Sequence, residues 1–385
     1  MAVLMIPILF MVINYLNSDI HFVYANSNRL FVYISNGGDG NIDVMKLNPK
    51  TGDLTMVEKL PAAPNVMHMA LSPDHRFLYA SVRSEPFSII SYSINSETGK
   101  LTQLFKESLP DNMVYISLDK IGRFLLSVSY TGAKIVVNPI EANGLVQADP
   151  IQIIPTGPKP HSILVDQSNR FVYVPQLGND QIKQFLFNAS TGTLTPNDPD
   201  VVYTKDDSGP RHFVFSPNNK FIYVSNELDG TVYSYKINNK TGILTEIQRI
   251  SVFPTTISHE SSSSVAEYTA LGMADGKAAT NIKVADIHIT PDGKWLYVSE
   301  RVTNTITAFA VDRHLGNLTY IGNYDTEKMP RGFNIDPKGN FVIVAGQKSD
   351  HISVHAINPE TGELKLLDRY ESGKDPNWIE IVNFN

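Results

Sequence analysis

Residues 209–228, GPRHFVFSPNNKFIYVSNEL, contain the pattern from which the fold can be predicted. Two short apolar runs, residues 213–215 and 221–224, flank Pro217-Asn218-Asn219, which supplies the fixed φ and the tolerance of left-handed φ that a tight reversal needs. The pattern predicts a β-hairpin. Because hairpin strands run antiparallel, Arg211 before the first strand and Glu227 after the second are predicted to meet at one end of the sheet.

The second strand of this hairpin recurs along the chain. Its copies lie at residues 30–34, 77–80, 124–127, 171–174, 221–224, 295–298 and 341–344. A second marker, a glycine near the turn between strands three and four, keeps step at Gly52, Gly99, Gly144, Gly192, Gly242, Gly316 and Gly362. Successive glycines are 45 to 50 residues apart, except for one step of 74. Such a period with four short strands per unit predicts an all-β, seven-bladed β-propeller.

The two ends of the chain predict how the ring closes. The first copy starts at strand two, and residues 378–384 form a strand with no partner of its own. We expect this C-terminal strand to join the N-terminal blade, which removes the open edges of an unclosed ring. Two stacked sandwiches would explain neither the period nor the orphan strand.

The amino-acid composition excludes some kinds of site and favours strands and turns. The 385 residues include 17 Tyr, 18 Phe, 24 Gly and 23 Pro, as expected for strands and turns, and no Cys, which excludes disulfides and thiolate metal sites. The net charge of −7 gives no reason to expect nucleic-acid binding.

Two segments stand apart from the repeats. Residues 1–25 are apolar at first and end in Val23-Tyr24-Ala25, which predicts a cleaved signal peptide, an exported protein and no stable membrane association after cleavage. No Lys or Arg precedes the apolar run, so an uncleaved anchor or a misassigned start, and a cytoplasmic protein, stay open alternatives. The propeller domain is then residues 26–385, with an insertion at about 254–283 that is either a surface loop or a partial lid.

Aligning the copies shows what one face of the ring carries. The position before strand one holds Met67, Val114, His161, Arg211, Ala285 and Arg331, and the position after strand two holds Gly37, Arg83, Tyr130, Leu177, Glu227, Arg301 and Gln347. Neighbouring positions add Asn226, Asp286, Glu300 and Lys348. Arginines thus gather at the channel of a protein that is acidic overall, which indicates a small anionic ligand.

Each of these residues also has a purely structural interpretation. A single arginine here would be a surface charge or a salt bridge between blades. His161 is either a rim histidine or a catalytic one, whereas His212 and His288 alternate with apolar neighbours and are expected to be structural. No histidine pair has the tight spacing of metal-ligand motifs, so we expect neither a metal nor a cofactor.

Several motifs carry a resemblance to a known family. They are Gly209-Pro210-Arg211-His212, Asn226-Glu227-Leu228, residues 285–293 (ADIHITPDG), Pro330-Arg331-Gly332-Phe333-Asn334 and Ala345-Gly346-Gln347-Lys348-Ser349. Over nearly the whole chain after residue 25, the sequence resembles the seven-bladed 6-phosphogluconolactonases. That family is similar to the propeller-type 3-carboxymuconate cyclases, whose proposed catalytic set falls on His161, Arg211, Glu227 and Arg301. The signal peptide and the insertion depart from the lactonase pattern.

The resemblance implies metal-free hydrolysis of a sugar-derived lactone, 6-phosphogluconolactone. Glu227 or His161 would take a proton from water, and Arg211 would stabilise the oxyanion. The implied substrate-binding residues are Arg83, Asn226, Asp286, Arg331, Gln347 and Lys348, and Arg301 with Arg331 and Lys348 would hold a phosphate or carboxylate. The alternatives are a lactone-forming cyclase that uses the same residues in reverse, and an exported propeller that binds a partner without catalysis.

Overall fold

The computed structural model of the chain describes residues 29–253 and 282–384. Within these two ranges all regular secondary structure is β-strand, and the strands form seven antiparallel sheets of four. The first strands of successive sheets contact one another and surround a central channel. The predicted all-β, seven-bladed propeller is confirmed.

The strands follow in blade order, each blade from its inner strand to its outer strand. Blade 1 contains β28 (Pro376–Asn383), β1 (Leu30–Asn36), β2 (Asn41–Leu47) and β3 (Leu54–Pro61). Blade 2 contains β4 (Val66–Leu71), β5 (Phe77–Val82), β6 (Ser88–Ile94) and β7 (Leu101–Ser108). Blade 3 contains β8 (Met113–Leu118), β9 (Phe124–Ser129), β10 (Lys134–Pro139) and β11 (Gln152–Pro155). Blade 4 contains β12 (Leu164–Val165), β13 (Phe171–Gln176), β14 (Gln181–Asn188) and β15 (Thr193–Tyr203).

The remaining blades keep the same order. Blade 5 contains β16 (Pro210–Phe215), β17 (Phe221–Asn226), β18 (Thr231–Ile237) and β19 (Leu244–Ser251). Blade 6 contains β20 (Val284–Ile289), β21 (Trp295–Glu300), β22 (Thr305–Val311) and β23 (Leu318–Asp325). Blade 7 contains β24 (Pro330–Ile335), β25 (Phe341–Gly346), β26 (His351–Ile357) and β27 (Leu364–Glu371).

The hairpin predicted from residues 209–228 is the β16–β17 pair of blade 5. Phe213 pairs with Val224, and the strands reverse at Asn219, whose φ of 56° is left-handed. Ser216 Oγ accepts a hydrogen bond of 2.9 Å from the Phe221 amide and so ties the two ends of the turn together. Asparagine tolerates this backbone conformation better than most residues, so the local sequence sets the reversal.

The two repeating markers contact each other across neighbouring blades. Gly242 of blade 5 has a φ of 75°, and a Cβ built there would lie 2.3 Å from the Phe171 ring of blade 4. Gly52 of blade 1 lies against Phe341 of blade 7 in the same way. A glycine is required at each position because the backbone is left-handed and the aromatic ring fills the space of a side chain. The spacing of both markers therefore reflects contact between successive blades.

The C-terminal strand closes the ring as predicted. Strand β28 pairs antiparallel with β1, with Ile379 opposite Ile34, and becomes the inner strand of blade 1. This non-covalent closure joins residues near both ends of the propeller in one sheet.

The segments predicted as a signal peptide, residues 1–25, and as an insertion, about 254–283, lie outside the described residues apart from residues 282 and 283. The described ranges contain no helix long and apolar enough to cross a membrane.

Candidate active site

Seven residues at the inner-strand starts surround one mouth of the channel, and we call them the upper ring. They are Met67, Val114, His161, Arg211, Ala285, Arg331 and Asn377. Aligning the repeats predicted the first six. Asn377 was missed because its strand was not aligned with the other copies, although Pro376-Asn377 repeats the Pro210-Arg211 pattern that begins β16. All blades thus contribute to the ring, but only blades 4, 5 and 7 place an ionisable residue there.

Arg211 and Glu227 meet as the hairpin geometry predicted. Arg211 Nε lies 2.8 Å from Glu227 Oε2, and Arg301 Nη2 of blade 6 lies 2.9 Å from Glu227 Oε1. Both are ion-pair contacts whose angles fall outside those of a hydrogen bond. Arg211 Nη1 donates to the Ala285 carbonyl oxygen at 2.6 Å, and Arg301 Nε donates to that of Lys283 at 3.1 Å. Glu227 is thus held between two anchored guanidinium groups.

Burial and charge set the ionisation of this triplet. Burial alone would raise the pKa of Glu227, but Arg211 and Arg301 outweigh it and lower the pKa below its usual range. Arg211 is 1% exposed, and burial followed by repulsion from Arg301 lowers its pKa to about 9. Both groups therefore remain charged at neutral pH, with two cations around one carboxylate.

Two further arginines lie near the same mouth. Arg83 donates through Nε to Asn112 Oδ1 at 2.6 Å. Arg331 lines the upper ring, and in the described part of the chain its guanidinium has no ion pair. Burial, followed by repulsion from Arg301 and Arg83, lowers the pKa of Arg331 to about 10. This excess of positive charge is suited to an anionic group.

His161 completes the predicted catalytic set. It is 5% exposed, and burial, followed by the charges of Arg211 and His212, holds its pKa well below the usual value, so that the imidazole is neutral at neutral pH. Its Nδ1 atom has no hydrogen-bond partner among the described residues. The structure therefore brings His161, Arg211, Glu227 and Arg301 to one mouth of the channel.

The other four predicted substrate-binding residues divide into two groups. Gln347 and Lys348 lie at the rim, where both interact with Asp375 beside Arg331. Asn226 is buried, and its Nδ2 donates to Thr231 Oγ1 at 3.0 Å, which holds the turn that follows β17. Asp286 is 2% exposed, and its carboxylate contacts two histidines. Burial separates both side chains from the mouth of the channel, although Asn226 Oδ1 has no hydrogen-bond partner among the described residues.

Beneath the upper ring, four ring-bearing side chains form what we call the channel floor. His68 lies between Tyr115 and Trp378, with ring centroids 3.9 and 3.7 Å away, and His212 lies 5.2 Å from Tyr115. Each of the four residues directly follows an upper-ring residue in the sequence. Aligning the repeats at the next position along the chain could therefore have found them. Burial and the charge of Arg211 lower the pKa of His212 to about 3. His212 was predicted to be structural.

Asp286 anchors this layer. Its Oδ1 lies 2.8 Å from His212 Nδ1, and its Oδ2 lies 3.1 Å from His288 Nε2. Burial opposes ionisation, but His288 and His212 outweigh it and hold the pKa of Asp286 well below the usual range. In the described ranges no group of three or more His, Asp or Glu side chains is arranged to hold a metal ion.

Comparison with known proteins agrees with the propeller fold. Residues 30–381 match the family model of the seven-bladed β-propeller lactonases. The chain is 38% identical over 304 residues to a 6-phosphogluconolactonase of Pectobacterium carotovorum, covering 79% of this chain and 84% of that protein. It is also 38% identical over 307 residues to the 6-phosphogluconolactonase of Serratia proteamaculans, covering 80% and 85%.

A solved structure supports the fold. The periplasmic gluconolactonase of Pseudomonas aeruginosa superimposes with a TM-score of 0.79 at 24% identity, covering 92% of this chain and 99% of that one. At this identity the likeness concerns architecture alone.

Proposed function

The chain belongs to the seven-bladed β-propeller lactonase family and is a lactone hydrolase, and we propose that its substrate is 6-phosphogluconolactone. The observation that carries the proposal is the charge of the channel mouth. Arg83, Arg211, Arg301 and Arg331 gather there, and Glu227 neutralises only part of their charge. A phosphorylated lactone matches this excess of positive charge, because its phosphate can bind one arginine while its carbonyl group faces another.

The position of each arginine in the channel and its ion-pair contacts indicate its role in the site. Arg211 is anchored deep in the channel by the Ala285 carbonyl, which suits a group that stabilises the oxyanion formed when water attacks the lactone carbonyl. Arg331 has no ion pair in the described ranges and borders the rim residues Gln347 and Lys348, which suits a group that holds the phosphate. Arg83 lies close enough to repel Arg331 and would add to the same phosphate site.

Glu227 is better suited to holding the arginines than to taking a proton. Each of its carboxylate oxygens lies within 2.9 Å of a guanidinium nitrogen, so both oxygens are engaged by the arginines. The proton acceptor is then a neutral imidazole, and two of them lie beside Arg211: His161 of the predicted catalytic set, and His212. No metal ion is assigned a role in this scheme, so we expect dialysis against EDTA to leave kcat unchanged.

A lactone panel tests the proposal. We expect the protein to hydrolyse 6-phosphogluconolactone with a kcat/KM about 10-fold or more above that for unphosphorylated gluconolactone, since one charge-assisted contact is worth roughly 1.5 to 3 kcal/mol. Equal turnover of both lactones would refute the phosphate preference. Formation of a lactone from a carboxymuconate, without hydrolysis of sugar lactones, would favour the cyclase alternative.

The place of action is a second part of the proposal. We propose that residues 1–25 direct export and are removed, which depends on the apolar start and Val23-Tyr24-Ala25 alone. Intact-mass measurement of the protein from its native host should give a chain that starts at Asn26. A cytoplasmic protein of full length would contradict export.

A further inference from the structure

His212 in the channel floor has a role in the reaction that rests on the proposed lactonase function. His212 and Asp286 are 5% and 2% exposed, and His212 Nδ1 lies 2.8 Å from Asp286 Oδ1. They come from the same position in blades 5 and 6, one residue after Arg211 and Ala285. A histidine held by a buried carboxylate is the arrangement that orients an imidazole in many hydrolases.

Asp286 is fixed on both of its oxygens. The amide of Ile287 donates to Oδ1 at 3.0 Å, and the amide of Phe333 donates to Oδ2 at 3.3 Å. His288 Nε2 also contacts Oδ2, at 3.1 Å. An ionised carboxylate accepts hydrogen bonds only, so His212 must carry its proton on Nδ1. The lone pair of neutral His212 is therefore on Nε2.

His212 borders the place where a reacting water would lie. A cavity of about 10 Å³ lies between the upper ring and the channel floor, and its lining includes His161, Arg211, His212 and Arg331. This volume is close to the smallest that holds one water molecule. The His161 and His212 rings are 5.0 Å apart, so both imidazoles lie beside Arg211, the proposed oxyanion group.

We propose that His212, oriented by Asp286, is the general base of the reaction. The Nε2 lone pair takes a proton from the water as its oxygen bonds to the lactone carbonyl carbon, and the carbonyl electron pair becomes an oxyanion beside Arg211. When the oxyanion collapses, the ring C–O bond breaks and the leaving oxygen takes the proton from Nε2. The product is the open hydroxy acid, which then loses its carboxyl proton to solvent. Asp286 stays ionised and acts as a positioning residue.

Two comparisons within the site favour His212 over the residues predicted from sequence. Glu227 has a guanidinium beside each oxygen, whereas Nε2 of His212 is the nitrogen that Asp286 does not hold. His161 has no carboxylate partner among the described residues, so no carboxylate fixes its tautomer as Asp286 fixes that of His212. His161 would contact the substrate beside the water.

The arginines that weaken His212 as a base also make it responsive to substrate. Arg211 and Arg331 disfavour the imidazolium. A phosphorylated lactone brings negative charge to these arginines and so favours proton transfer to Nε2. The anionic group of the substrate would thus assist the chemistry as well as binding.

The experiment first measures wild-type turnover on the lactone panel and then compares His212→Ala, Asp286→Asn and a control, His355→Gln. His355 is also a buried histidine, but it bonds to Ser353 Oγ in blade 7, away from the channel. We expect kcat to fall about 100-fold or more in the first two variants with KM within about threefold, and to be unchanged in the control. Asp286→Asn should lower kcat because the asparagine amide can donate to Nδ1 of His212 and so select the tautomer that carries its proton on Nε2.

Chemical rescue separates a base from a packing residue. Added imidazole should restore kcat to His212→Ala, whereas 1,2,4-triazole, which has the same shape but is a far weaker base, should not. Equal restoration by both would overturn the proposal, as would wild-type kcat in His212→Ala or Asp286→Asn. If His212→Ala does not fold, as judged by thermal unfolding, the kcat of Asp286→Asn decides. A wild-type protein that hydrolyses no lactone would refute the function itself, whereas active His212→Ala would refute only the role of His212.

Discussion

Each end of the channel contains a glutamate, and the pKa of one is lowered whereas the pKa of the other is raised. At the upper mouth, Glu227 lies between Arg211 and Arg301, and its pKa is lowered. At the other end, Glu380 lines a cavity of about 450 Å³ and accepts a hydrogen bond of 2.8 Å from Trp378 Nε1. Burial raises the pKa of Glu380 to about 7.

Neighbouring cations account for the difference. Both carboxylates are partly buried in the same channel, but no arginine lines the lower cavity within the described residues, and there Asp286 opposes a second negative charge. The hydrogen bond from Trp378 and the charge of His288 lower the pKa of Glu380, but burial, the largest cause, outweighs them. The repeated blade sets the position of each carboxylate, and its neighbours from other blades set its charge.

Replacing Arg211 should do the greatest damage to the upper mouth. Arg211→Met places there the residue that blade 2 has at the same position, Met67, and removes the proposed oxyanion group. We expect kcat on 6-phosphogluconolactone to fall about 1,000-fold, as for loss of one oxyanion-hole donor. Steady-state kinetics measures this, and Arg123→Met, which changes an exposed arginine away from the mouth, is the matched control. A loss of less than about 10-fold would remove Arg211 from the reaction.

Glu227→Gln keeps the size of the side chain but removes the negative charge between two arginines. We expect kcat to fall about 100-fold, because the arginines lose the group that positions them, and the free energy of unfolding to fall by about 3 kcal/mol. Kinetics and urea unfolding measure the two effects, with Glu246→Gln in an exposed ion pair as the control. Near-normal activity and stability would show that Glu227 neither positions the arginines nor takes part in the chemistry.

Arg331 and Arg301 should differ in substrate dependence. Arg331→Ala is expected to lower kcat/KM for 6-phosphogluconolactone by about 10-fold to 150-fold, the value of a charge-assisted contact, and to leave gluconolactone within about threefold of wild type. Arg301→Ala should slow both lactones, because Arg301 contacts Glu227 as well. If the two variants slowed both lactones to the same extent, the phosphate would not be held by Arg331.

The lower end predicts a pH effect on stability without an effect on activity. Glu380 has a raised pKa in the folded protein, so its protonated form stabilises the fold fully below about pH 4.5, and this stabilisation is lost as pH rises through about 7. Glu380→Gln stays neutral, and we expect it to raise the free energy of unfolding by roughly 2 kcal/mol at pH 8 relative to wild type. The difference should disappear at pH 4. Equal wild-type and variant stability at pH 8 would mean that the pKa of Glu380 is not raised in the folded protein.

Much of the fold was predictable because its causes are local or periodic. The Pro217-Asn218-Asn219 turn fixes a hairpin, and the glycines at 52 and 242 recur because each must fit against an aromatic ring of the preceding blade. The unpaired C-terminal strand indicated closure. Strand β12, with only two residues, shows that tertiary contacts still adjust individual strands.

The sequence predicted which residues lie at the mouth of the channel, but not the contacts in the layer beneath them. Alignment of the repeats placed Arg211, Glu227, Arg301 and Arg331 at one mouth because equivalent positions in a propeller converge on its axis. The same alignment assigned Asp286 to the substrate and His212 to the structure. It could not show that these two side chains contact each other, because they belong to different blades, 74 residues apart in sequence.

The seven repeats, the closure and the cationic mouth follow from the sequence, since each depends on which residue types recur at which spacing. The charge states and the side-chain pairings depend on the tertiary structure. Glu227 is ionised because two arginines from blades 5 and 6 reach it, whereas burial raises the pKa of Glu380, which no arginine among the described residues offsets. His212 has a defined tautomer because Asp286 of the next blade lies 2.8 Å away. These properties depend on distance and burial, which a repeat pattern does not specify.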